Sequence, residues 1–346
     1  MITKKKVGVL LINLGTPDSL EIKDLKKFLK EFLSDPRVLT IPSFFRWLLL
    51  RLIILPFRPK KIQQNYKKIW TKDGSPLAFY AKKITSEIQD ILGKEYIVRY
   101  AMRYRNPSIE KELNYLIRSG LTDIIIVPLF PQYAMATTGS IYAEVFEVLK
   151  KRCHIPAIRF VGDYFRDDFF ISAQAELARP YLQDGYDHVV FTFHGIPKDH
   201  LTKYSDSITN YCYAKKNCCL EINLKNQFCY KAQCHATAKA LAEKLKIEKT
   251  KYTVAFQSRF GKAEWIQPYT TNIVAKLGRK KSNKIVLMCP AFIADCVETI
   301  DEINNEEREN FLAKGGKQFE TVPCVNDHPI WVEGLAKKIV ETTETR

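Results

Sequence analysis

Short, almost wholly apolar runs recur along the chain, each followed by a longer amphipathic stretch. The runs are Val7–Leu14, Tyr96–Met102, Asp123–Leu129 and Pro156–Val161, then His188–Phe193, Thr253–Gln257, Lys284–Cys289 and Phe319–Pro323. Their length and β-branched content predict buried strands rather than helices. Between them, Leu77–Leu92 and Ser108–Arg118 carry the helical period, and 236–246 consists almost entirely of strong helix formers. Strands that alternate with helices predict an α/β protein with parallel sheet. Four strands followed by four at similar spacing predict two similar Rossmann-like halves, each with a mainly four-stranded sheet flanked by helices. The active cleft is expected between them. No residue-level repeat accompanies this plan. The expected halves are 1–170 and 171–346, with the boundary between Arg166 and Gln183 and no low-complexity linker.

Ligands of open α/β sheets gather beyond the carboxyl ends of the strands. That rule singles out Asn13-Leu14-Gly15, Arg103-Tyr104, Phe130-Pro131-Gln132-Tyr133, His194-Gly195, Gln257-Ser258-Arg259 and residues 290–298.

Composition narrows the class. Apolar residues make up 46% of the 346, which excludes a disordered chain and a disulfide-stapled miniprotein. Lys and Arg number 54 against 38 Asp and Glu, a net charge of +16. Such a surface attracts anions, or is simply solvated. Lys4-Lys5-Lys6 and the apolar residues after them imitate a signal peptide, but the run stops at Asn13 with no cleavage pattern, so a first strand is expected. Ile41–Phe57 is cut by Arg46 and Arg51 and is shorter than the roughly 20 residues a spanning helix needs. A soluble protein in a reducing, cytoplasmic compartment is expected.

Four features carry candidate chemistry. His194 breaks a buried strand, where a neutral imidazole, a side chain able to accept a proton near pH 7, either does so or merely bonds the turn. Glu298, Glu302 and Glu306 stand four apart, so on a helix they share one face, with Asp295 just ahead. Such a ladder either passes a cation or protons inward, or is an acidic outer surface. Cys212, Cys218, Cys219, Cys229 and Cys234 cluster within 205–235, fitting structural zinc, a [2Fe–2S] cluster, or free thiols. Ile41–Phe57, flanked by Arg46, Arg51, Arg58, Lys60 and Lys61, reads as buried core or as an interfacial lip that touches anionic membrane.

Together these segments resemble ferrochelatase. The resemblance runs from Leu11-Ile12-Asn13-Leu14-Gly15-Thr16-Pro17 to beyond Glu306. It includes Gly74-Ser75-Pro76-Leu77, Met102-Arg103-Tyr104, residues 127–133, Thr137-Thr138-Gly139-Ser140 and Phe193-His194-Gly195-Ile196-Pro197. It continues through Phe256-Gln257-Ser258-Arg259-Phe260-Gly261, Cys289-Pro290-Ala291-Phe292 and Asp295-Cys296-Val297-Glu298-Thr299. The blocks stand in the family's order, and no Walker A loop or G-x-G-x-x-G follows Leu14.

The resemblance implies chelatase-type halves and insertion of Fe2+ into protoporphyrin IX to form protohaem, the terminal step of haem biosynthesis. By it, His194 and Glu298 are the facing catalytic pair and Asp295 supports them. His194, Glu298, Glu302 and Glu306 handle the iron. Arg103, Tyr104, Tyr66, Phe292, Trp265 and Leu14 meet the porphyrin, although relatives carry Met or Tyr where Leu14 stands. Four of Cys212, Cys218, Cys219, Cys229 and Cys234 hold a [2Fe–2S] cluster. The implied partners are the porphyrin and ferrous iron, with peripheral contact at the inner membrane through the lip and no nucleic acid. Coproporphyrin or sirohydrochlorin chelation, and a non-catalytic tetrapyrrole carrier, are the competing readings.

Overall fold

The computed structural model describes residues 6–202, 212, 217–259, 261 and 263–344. Phe260 of the expected motif, and 205–211 and 213–216 of the cysteine-rich segment, lie outside the described residues. Eight strands form: β1 (Val7–Gly15), β2 (Tyr96–Tyr104), β3 (Asp123–Pro128), β4 (Ala157–Phe160), β5 (His188–His194), β6 (Tyr252–Gln257), β7 (Lys284–Met288) and β8 (Gln318–Thr321). Each coincides with a predicted run, with ends displaced by one or two residues.

The strands make two four-stranded parallel sheets of the same plan, ordered β2-β1-β3-β4 and β6-β5-β7-β8. The chain divides into two compact units, one of residues 1–130, 134–162 and 332–346, the other of 131–133 and 163–331. In the first unit Leu10, Ile12, Ile124 and Ile126 pack on Leu113, Leu116 and Val145 of the flanking helices. In the second, Val190, Ile285 and Leu287 pack on Val274, Leu277 and Phe311. Central strands covered on both faces are apolar throughout, which is why their runs were visible in sequence.

In each order the connections leave the first strand in opposite directions, so the switch point lies between β1 and β3 in one sheet and β5 and β7 in the other. Gly15 ends β1 at φ +125°, and a Cβ there would come 2.1 Å from the Tyr104 carbonyl oxygen. No other residue fits that strand end.

The segment 41–57 is helical and mostly exposed. Ser43–Leu49 winds as α-helix, Leu50–Ile54 as π-helix, and Leu55–Ile69 continues as α-helix. Buried Leu50 and Ile54 anchor it on Leu29 and Leu33 of the helix Ile22–Ser34, with Leu49 and Leu55 partly buried against the same cluster. Phe44, Phe45, Trp47, Leu52, Ile53 and Phe57 are each more than half exposed, so the stripe is not buried core. Among the described residues no helix is long and apolar enough to cross a membrane.

Candidate active site

His194 is the last residue of β5, and Gly195 lets the chain turn there. A Cβ on Gly195 would lie 2.8 Å from the Gln257 carbonyl oxygen and 3.1 Å from the Trp265 ring. The Gly195 amide instead donates to that carbonyl at 2.8 Å, extending the pairing of His194 with Gln257. His194 Nδ1 lies 2.6 Å from the Gly195 carbonyl oxygen. A carbonyl only accepts, so Nδ1 carries the proton and Nε2 is the basic nitrogen. The Trp265 and Phe292 rings flank the imidazole at 6.2 and 6.3 Å between centroids. The buried Tyr230 hydroxyl donates to the His194 carbonyl at 2.8 Å.

A hydrogen-bonded line leads from this strand end to the main chain of Glu298. Thr192 donates to Gln257 Oε1 at 2.8 Å, which turns Gln257 Nε2 toward the Glu298 carbonyl, 3.3 Å away. Thr270, 2.7 Å from Thr192, completes the buried set. Asp295 brackets two loops. Its oxygens accept from Thr299, the Cys324 amide and the Asn326 amide group at 3.1, 3.3 and 2.7 Å. With its acceptors so engaged, Asp295 positions the start of the glutamate helix. The buried Cys296 thiol hydrogen-bonds the Glu298 carboxyl.

The glutamates differ from expectation in their winding. Glu298–Glu307 is a π-helix, whereas the four-residue spacing was read on an α-helix. Each turn of i→i+5 winding holds more residues, and π-segments mark functional sites more often than structural ones. Thr299, Ile303 and Glu307 face inward at the same spacing, while the neighbouring stripe runs from partly buried Glu298 and Glu302 to exposed Glu306. Among the described residues no three His, Cys, Asp or Glu side chains converge as a metal cage. The stripe is graded in burial from Glu298 to Glu306 and forms no ion cage among the described residues.

Glu302 accepts from the Ser258 amide at 2.7 Å and its hydroxyl at 2.5 Å. Burial nevertheless pushes its carboxyl up to about 7, with the negative Glu298 and Glu306 adding to the rise and the Ser258 bonds opposing it. Between the ordinary value of 4.5 and about 7 the folded chain holds a proton that the unfolded chain gives up. Its contribution to stability is therefore complete below that window and is lost as pH rises through it. Glu302→Gln should match the parent at pH 4 and exceed it by about 3 kcal/mol at pH 8, read from urea midpoints. Equal midpoints at pH 8 would contradict the buried-acid account.

Four cysteines form a chain of thiols. Cys212 hydrogen-bonds Cys218, Cys218 lies 3.5 Å from Cys219, and Cys219 hydrogen-bonds Cys229. Cys234 is fully buried beside them, bonded to Tyr230. Burial and the neighbouring thiols hold the Cys212 thiol above its usual range. Thiols are soft donors, but among the described residues no three of these converge on a metal position.

In the first unit, Asp35 caps the carboxyl end of the helix Ile22–Ser34 and gathers the residues that end β2. Its Oδ2 accepts from Arg103 Nη2 at 2.9 Å, the Tyr104 hydroxyl at 3.0 Å and the Ser140 hydroxyl at 2.5 Å. Arg103 Nε bonds Ser140, and Nη1 lies 3.3 Å from Glu144. Arg103 thus has carboxylate partners within its own unit. Burial, followed by the Asp35 charge, pushes the Tyr104 hydroxyl far above its usual range. Leu14 is partly buried, its amide bonded to Asn13 Oδ1 at 2.8 Å, while Asn13 Nδ2 is buried without a partner. Tyr66 packs on Trp70 at 6.0 Å. Sequence reasoning did not single out Asp35, Glu144 or Tyr230 and gave Ser140 only as part of a motif; their roles depend on partners remote in sequence.

The sequence and the fold both have likenesses among known proteins. A family model described as ferrochelatase matches residues 6–343. The chain belongs to the ferrochelatase family. Ferrochelatase of Bdellovibrio bacteriovorus is 41% identical over 96% of this chain and 98% of the relative. Ferrochelatase of Coxiella burnetii is 38% identical over 96% and 92%. Membership makes the chain an enzyme of the lyase class, a chelatase of haem biosynthesis. Among solved structures, SirB from Bacillus subtilis with Fe3+ superposes with a TM-score of 0.57 at 13% identity, covering 98% of this chain and 96% of that one. That likeness supports the chelatase-type fold of ferrochelatases.

Proposed function

We propose that this chain inserts ferrous iron into protoporphyrin IX to form protohaem, with His194 Nε2 accepting a pyrrole proton and Glu298 as its charge partner. The observation that carries the reading is the Nδ1 bond to the Gly195 carbonyl, which leaves a fixed, basic Nε2 between the Trp265 and Phe292 rings. Metallation removes two pyrrole protons while the ion sheds water, so it needs an oriented base and an exit for protons. Gln257 ties the His194 strand end to the Glu298 backbone. Glu302, poised near neutrality, and exposed Glu306 extend that path to solvent. A bent macrocycle exposes the nitrogen lone pairs to iron, with the strain offset by binding energy from the rest of the ring.

The exposed apolar lip favours protoporphyrin over substrates richer in carboxylates, and its flanking cations suit peripheral contact with an anionic inner membrane from the cytoplasm. Anaerobic insertion assays with protoporphyrin, coproporphyrin and sirohydrochlorin test the choice. Fastest insertion into protoporphyrin is expected; preference for another ring would reassign the substrate, and tight porphyrin binding without insertion would make the protein a carrier.

Four of Cys212, Cys218, Cys219, Cys229 and Cys234 are proposed to hold a [2Fe–2S] cluster. When bound, such a cluster supplies a cross-link and one-electron redox chemistry. Purified protein should be reddish-brown, with visible absorption bleached by dithionite. A colourless, zinc-containing preparation would overturn the cluster and leave the chelatase reading intact.

A further inference from the structure

β2 is an edge strand of the first sheet, and its open side is guarded incompletely. The Gln89 side chain donates to the Tyr96 carbonyl at 3.1 Å and accepts from the Val98 amide at 2.9 Å. Further along, the Met102 amide donates to the Pro107 carbonyl at 2.7 Å. These bonds show that even-numbered residues of β2 turn their backbone groups away from β1. Strand alternation then puts the Tyr100 amide and carbonyl, and the Val98 carbonyl, on the same outer side. None of the three has a partner there among the described residues.

A groove of about 690 Å3 lies over this gap, lined by Lys82, Ser86 and Gln89 of the helix Pro76–Leu92, by Tyr100, and by Lys111 and Glu112 of the helix Ile109–Arg118. Glu112 is buried and paired with Arg99 at 2.7 Å. Lys82 and Lys111 make no ion pair among the described residues, so the groove is cationic.

We propose that this groove binds an extended, acidic segment of a partner protein by strand addition to β2. An unpaired strand edge is a template for another chain, and its main-chain bonds supply the docking register. One residue of the incoming segment donates to the Val98 carbonyl and accepts from the Tyr100 amide. The residue two further on donates to the Tyr100 carbonyl. Carboxylates on the segment meet Lys82 and Lys111. A second copy of this chain is a poor occupant, because a net charge of +16 opposes self-pairing along a lysine-walled edge.

The test uses the full chain and a fluorescein-labelled peptide, acetyl-Glu-Val-Glu-Val-Glu-Val-amide. Saturable binding is expected by anisotropy at low salt, with at least tenfold slower hydrogen exchange of the Tyr100 amide. The double variant Lys82→Glu/Lys111→Glu should bind at least tenfold more weakly, and a peptide N-methylated at its central residues should not bind. Retained iron insertion serves as the fold control, since neither lysine belongs to the groups assigned to it. Absent binding at millimolar peptide, unchanged Tyr100 exchange, equal affinity of the N-methylated peptide, or dimerisation through this edge would each overturn the proposal.

Discussion

His194→Ala is expected to lower iron insertion by about 10²–10⁴-fold while porphyrin affinity changes little. The size follows from what the side chain does rather than from what it holds together. The imidazole is only partly buried, and among the described residues its one hydrogen bond is to the carbonyl of the next residue. Its loss therefore leaves the strand end intact, because the Gly195 amide still pairs with Gln257 and Tyr230 still binds the main chain. What disappears is a base whose tautomer is set before the ring arrives. Steady-state insertion and fluorescence quenching of bound porphyrin separate the two effects, and added imidazole should restore part of the rate. Turnover close to that of the parent would remove His194 from the chemistry.

Asp35→Ala should cost up to about 3–5 kcal/mol of stability, because a largely buried guanidinium loses its closer carboxylate and keeps only Glu144 at 3.3 Å. Arg103 and Asp35 side chains are only 16% and 4% exposed, so water cannot replace the pair. Asp35→Asn keeps an acceptor for the Tyr104 and Ser140 hydroxyls and should lose less, about 1–3 kcal/mol. The pH dependence has a definite sign. Burial alone would raise the Asp35 carboxyl, but the Ser140 hydroxyl, the Arg37 amide, the Arg103 guanidinium and the Tyr104 hydroxyl together bring it below the ordinary aspartate value. A lowered value means that the folded chain resists protonation. This stabilisation is present above about pH 4 and disappears as pH falls through the depressed value. Urea midpoints of the parent should drop across that range, and those of Asp35→Asn should drop less. An Asp35→Ala protein as stable as the parent would show that Arg103 finds compensation elsewhere.

Asp35 also roots the lip. The helix Ile22–Ser34 that it caps supplies Leu29 and Leu33, on which Leu50 and Ile54 rest. Loss of Asp35 is therefore expected to loosen the exposed helix together with the end of β2.

Legibility in the sequence followed the range of the interaction. The central strands were readable because a parallel strand covered on both faces is an uninterrupted apolar run, and the edge strands because they recur between helical stretches. The positions of His194 at the end of β5 and of the segment after β7 that leads to Glu298 were readable because ligands of such sheets gather beyond the carboxyl ends of the strands at the switch point. The Glu298–Glu307 winding was not readable, since spacing by four suits both an α- and a π-helix. Exposure of the lip was equally hidden. An apolar stripe looks the same whether a core covers all of it or only a few of its residues, such as Leu50 and Ile54, reach one.

The amino-acid sequence by itself determined the α/β class, the strand positions, the family and the strand-end histidine, because local periodicity and short motifs encode them. Only the tertiary structure decided the His194 tautomer, the near-neutral Glu302 and the pairing of Arg103 with Asp35. Each depends on a partner brought in by packing: a turn that presents a carbonyl, Ser258 reaching Glu302 across 44 residues, and a helix end meeting a strand end 68 residues away. Protonation and charge respond to burial and to neighbours in space, and a linear order of residues carries neither.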